Sequence, residues 1–104
     1  MEFFKNEKYA ILKCLDAVCR SSSNVHKEEM TFFINVLKDF NITIDEGAEG
    51  TENIDLVSAS KVLNSMSKEK RKYASDLILK LSILGDGLNM QKISLVSTLS
   101  KIID

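Results

Sequence analysis

Few residues of this chain combine a reactive type with a spacing that chemistry could use. His26 is the only histidine. General-base or nucleophilic catalysis needs a partner beside it, and no Ser-His-Asp or Cys-His arrangement is suggested by the spacing. No catalytic residue is assigned and no enzyme is expected. Cys14 and Cys19 stand five residues apart, about 140° around a helix, so they cannot bridge each other. Without a CxxC spacing or histidine partners they read as small buried hydrophobes. The stretch ITIDEGAEGTENID carries five carboxylates and no basic residue. It does not keep the alternate-position register of a calcium loop, which also wants a glutamate in the twelfth place. Asp86, in LGDGLNMQ, sits in an Asp-Gly pair between two apolar segments, where either a cation or a tight turn would use it.

The totals narrow the classes. The chain has 104 residues, 44% hydrophobic and 28% charged, with a net charge of −1. That suits one folded domain and not a nucleic-acid binder, whose electrostatic term needs a basic surface. The cluster KEKRK at 68–72 is short, lacks aromatic neighbours and reads as a solvated face. No apolar run approaches the roughly 18 residues of a membrane span, and charges interrupt the N-terminus where a signal peptide would be apolar. A cytoplasmic protein without membrane insertion is expected.

The elements that would position these residues are helical. There is no proline, and apolar spacing is helical nearly throughout. The reading is all-α, a compact bundle of about five helices in a single domain, 1–104. A first helix, about 3–20, carries Phe4, Ile11, Leu15 and Val18 as one stripe. A second, about 27–40, has Met30, Phe32, Phe33, Ile34, Val36, Leu37 and Phe40 over more than half its circumference, which predicts a central position. Asn41 suits a left-handed stop. The acidic stretch at about 42–53 is expected to be a mobile loop. Helices follow at about 54–64, from Ser65 or Ser67 to about Leu84, and at about 90–103. The last turns Ile93, Leu95, Val96, Leu99, Ile102 and Ile103 inward. Leu79 and Ile83 lie opposite the apolar face of their helix; either another helix of the chain covers them or they form a self-association contact.

Two parts of the chain align at an offset of 63 residues, so that Cys14, Leu15 and Val18 match Leu77, Ile78 and Leu81, and Met30 matches Ile93. SNVH at 23–26 then falls on DGLN at 86–89. His26 and Asn89 take the helix-cap positions, and Glu29 can reach back to the cap's backbone N–H. Gly87 supplies a positive φ at the corner, and Leu88 tucks into the core.

A helix, a turn with an aliphatic residue and a capped helix with an acidic start, followed by a variable loop and SMSKEKRKYASDLILKLSILGDGLNMQKISLVSTLSKII, resembles the TerB-like family, named for tellurite-resistance TerB. The resemblance implies an all-α bundle of two related helical hairpins, in bacterial stress or phage-related settings, without enzymatic activity. It also implies a divalent-metal site at the turns, which by position would use Asp86, Glu28 and Glu29. The sequence departs from the family pattern at Ser23 and Asn24, where the first Asp-Gly should be, and at Gln91 and Lys92, where the second copy's carboxylates should be. A hard cation wants about six to eight oxygen ligands, which this set does not supply. The leading expectation is therefore a non-catalytic helical protein-interaction module, binding another protein or itself, with no cofactor. The alternative is a divalent-metal-binding or metal-stress sensor on the same fold.

Overall fold

The computed structural model describes residues 1–21, 25–85 and 89–103. Among them six helices form: α1 (Lys5–Arg20), α2 (Lys27–Asp39), α3 (Ile44–Glu52), α4 (Leu56–Ser65), α5 (Lys68–Ser82) and α6 (Met90–Ile103). The described residues include no strand. The expectation of an all-α, compact chain is met, with six helices in place of about five.

The additional helix is the acidic segment, which is not a loop. Thr43 and Glu46 form a reciprocal capping box: the Glu46 N–H donates to Thr43 Oγ1 at 3.1 Å, and the Thr43 N–H donates to Glu46 Oε1 at 3.0 Å. Asp45 and Glu46 then lie in the first turn, where negative charge opposes the positive end of the helix dipole. At the other end Lys13 Nζ donates to the Thr51 carbonyl at 3.0 Å, a cation at the carboxyl end. Gly50 lies against the Tyr9 ring, which a Cβ would strike, so the absent side chain lets α3 approach α1 closely.

The centre of the bundle is α1, not α2. Ala10, Ile11, Leu12, Cys14, Leu15 and Val18 are fully buried, and α1 packs against each of the other five helices. On α2 only Glu29, Val36 and Leu37 are buried within the helix, with Phe40 at its cap. The wide apolar arc failed as a sign of centrality because α2 packs chiefly against α1 and α3, with Glu29 at its start reaching Lys92 of α6. Phe4 leaves the α1 stripe: it is the N-cap and 69% exposed, while Phe3 packs between the rings of Phe40 and Tyr73. On α6, Val96, Leu99 and Ile103 point inward as expected; Ile93 is 45% exposed, and Lys92 is buried in its place.

The ends of α2 follow the expected chemistry. Asn41 takes φ 58, and the N–H groups of Asn41 and Ile42 donate to the carbonyls of Lys38 and Leu37, a Schellman closure. The two hairpins, α1–α2 and α5–α6, keep the internal repeat. Lys5 and Lys68 begin α1 and α5, Lys27 and Met90 begin α2 and α6, and each pair is separated by the same 63 residues that separate Glu7 from Lys70.

Candidate functional site

Two features of the molecule are candidates for function: the packed corner where the hairpins meet, and an apolar groove beside it.

At the corner, His26 is the N-cap of α2, and its backbone N–H donates to Glu29 Oε1 at 3.0 Å. Asn89 caps α6 by accepting from the Lys92 N–H at 2.9 Å. These two cap assignments stand as expected. Lys92 Nζ lies 3.0 Å from Glu29 Oε2, outside hydrogen-bond angles, and neither side chain exposes any surface. The ammonium also donates to the Leu84 carbonyl at 3.3 Å. Gly85, at φ +68, passes close to the His26 ring and the Glu29 carboxylate, so a Cβ there would meet both. The two corners are thus one buried polar unit, wired from the start of α2 to the end of α5.

That wiring bears on the metal set. Glu29 is occupied by an ammonium and a backbone N–H, and a divalent cation beside it would face the Lys92 charge. Glu28 is exposed, whereas Glu29 is fully buried. Asp86 and Gly87 lie outside the described residues, as does Leu88. Among the described residues no group of three His, Cys, Asp or Glu side chains gathers as ligands. The corner residues that are described do not fit a divalent cation.

A second ion pair occupies the other end of the hairpin interface. Lys70 Nζ lies 2.7 Å from Glu7 Oε1, with side chains 15% and 11% exposed. Glu7 also accepts from the Phe4 N–H at 2.8 Å, and Lys70 sits over the Phe4 ring at 4.6 Å. Burial pushes the Glu7 carboxyl up, but the Lys70 and Phe4 hydrogen bonds and the Lys70 charge outweigh it and hold it below the usual range. The basic cluster is therefore not wholly a solvated face. Both ion pairs join positions 63 residues apart: Glu7 with Lys70, and Glu29 with Lys92. Residues related by an internal two-fold and lying near its axis meet in this way. In the sequence Lys92 stands out only as a missing carboxylate, and Glu7 as an ordinary residue of the first helix. The signal available was opposite charge at repeat-equivalent positions.

The groove lies between α1, α2 and α3 and measures about 720 Å³, within the range of natural ligand sites. Met30, Phe33, Ile34 and Leu37 line it from α2, Cys19 from α1, and Ile44 and Ala48 from α3. Of its charged lining residues, Lys13 donates to the Thr51 carbonyl and Arg20 pairs with Asp16 at 2.9 Å, while Glu52 adds a carboxylate at the α3 end. Burial pushes the Cys19 thiol up to about 12, with the Glu29 and Asp16 charges adding to the rise, and burial alone does the same for Cys14. Both cysteines are free, buried and protonated near neutrality, as the sequence suggested, and neither is a nucleophile there. A smaller groove of about 450 Å³ runs between α4 and α6, where Leu95 and Ile102 are only partly covered.

Leu79 and Ile83 are 47% and 65% exposed. Among the described residues no helix covers them, so the first of their two readings is not met. Among the described residues no helix is long and apolar enough to cross a membrane. Comparison with protein-family models, with curated proteins and with solved structures finds no match.

Proposed function

We propose that this chain is a non-catalytic helical interaction module of the TerB-like type, which receives an amphipathic helix of a partner protein in the α1–α2–α3 groove. The observation that carries it is the stripe Met30, Phe33, Ile34 and Leu37 on α2, in which Met30 is exposed, Phe33 and Ile34 are partly exposed, and buried Leu37 forms the floor. These positions recur at i, i+3, i+4 and i+7, a helical ridge, and such a ridge packs best into the grooves of another helix. Met30 is 53% exposed although it belongs to that stripe. Because Lys13, Asp16 and Arg20 already have partners and the rest of the lining is mostly apolar, the groove recognises an apolar stripe more readily than a polar small molecule. The flexible Met30 side chain adapts to different occupants. The resemblance to TerB-like domains is supported by the all-helical architecture and by helices that begin 63 residues apart in the two hairpins. The two free thiols suit a reducing, cytoplasmic setting.

The test is a titration by NMR with a short helical peptide carrying leucines at i, i+3, i+4 and i+7, beside a scrambled peptide of the same composition. Saturable shifts confined to α1, α2 and α3 amides are expected, and Ile34→Asp should weaken binding by more than about tenfold. Equal shifts from the scrambled peptide, or shifts that ignore Ile34→Asp, would contradict the proposal.

A further inference from the structure

We infer that the outer face of α5–α6 is a docking surface for a second copy of this chain, independent of the groove. The argument is an internal control. Leu79 and Ile83 occupy the positions that Asp16 and Arg20 hold in the first hairpin, given the 63-residue relation of the helix starts. In the first hairpin those positions form a solvent-facing ion pair at 2.9 Å. The fold therefore does not require apolar side chains there, yet the second hairpin places two aliphatic ones in solvent. By the same relation Ile93 is placed to extend the patch. It is equivalent to Met30, which borders the same groove as Asp16 and Arg20, and it is 45% exposed. Exposed aliphatic residues that folding does not call for mark a contact surface.

The charge pattern selects a second copy as the occupant. Asp76, Leu79 and Lys80 on α5 and Ile83 at its C-cap stand at i, i+3, i+4 and i+7, one stripe with both signs of charge beside an aliphatic centre. When α5 of one copy crosses α5 of another antiparallel beside Leu79, Asp76 of each comes within reach of Lys80 of the other. A two-fold contact uses the patch twice and needs no other complementary surface. The patch is small, so the dimer is weak, with dissociation in the micromolar range or above.

Sedimentation velocity of the full chain, from micromolar to millimolar concentration, tests this. A reversible monomer–dimer equilibrium is expected. Leu79→Asp with Ile83→Arg should weaken it by more than about tenfold without loss of helicity, because the first hairpin already carries those residue types at the equivalent positions. Asp76→Lys alone should weaken it, and Asp76→Lys with Lys80→Asp should restore it, which keeps the test decisive should the apolar variant misfold. Ile34→Asp, in the groove, should leave the equilibrium unchanged. A monomer at every concentration, a dimer indifferent to the α5 variants, or a dimer lost through Ile34→Asp would overturn the inference.

Discussion

The hairpins α1–α2 and α5–α6 are built on the same spacing and turn matched positions toward each other, but their outer faces are made differently. Inward, Glu7 meets Lys70 and Glu29 meets Lys92, so the first hairpin supplies the carboxylates and the second the ammonium groups. Outward, the first hairpin presents Asp16 paired with Arg20 and is partly roofed by α3, while the second presents Leu79 and Ile83 to solvent. Opposite charge at equivalent inner positions favours joining the two hairpins within one chain. Two identical copies would set carboxylate against carboxylate or ammonium against ammonium. The inner positions are thus constrained by folding, and the outer ones are available for partners.

The largest effect should come from the inner pair. Lys92→Met leaves Glu29 buried without its cation, and breaking such a pair typically costs about 3–5 kcal/mol, a large part of a small domain's stability. Urea denaturation followed by circular dichroism measures it; a loss below about 1 kcal/mol would mean that the corner relaxes and admits water. A smaller loss should follow Gly50→Ala, which drives a methyl group into the Tyr9 ring and lifts α3 from α1. Overpacking of this kind costs about 1–3 kcal/mol, and amide exchange of α3 should rise ahead of the rest. The smallest effect should come from making the outer faces alike. Asp16→Leu with Arg20→Ile removes only an exposed ion pair, so stability should move by less than about 0.5–1 kcal/mol. A large loss there would show that the outer face is also set by folding and would break the comparison.

How much of this was legible in the sequence depends on how local the signal is. Helical periodicity placed α1, α2, α4, α5 and α6 to within a few residues, and the caps His26 and Asn89 follow from residue type and repeat position. The acidic segment was misread because its charge and glycines were weighed above Thr43-Ile44-Asp45-Glu46, a capping box visible in the chain. The position of α2 was misread for a different reason. An apolar arc reports how much surface prefers burial, not whether the same chain buries it. Met30, Phe33 and Ile34 line an open groove, and it is that excess that points to a partner. Lys92 was the least legible residue, since nothing local distinguishes a buried lysine from a solvated one. Its partner, Glu29, is 63 residues away, and only the repeat brings the two to equivalent positions.

The most direct measurement is a double-mutant cycle on the inner pair: wild type, Glu29→Leu, Lys92→Met and the double variant, each unfolded in urea. Both singles should be strongly destabilised, and the double should recover most of that loss, giving a coupling energy of at least about 2 kcal/mol, because removing both charges leaves neither stranded in the interior. Single losses that simply add in the double variant would contradict the account, showing that Glu29 and Lys92 do not hold the two hairpins to each other.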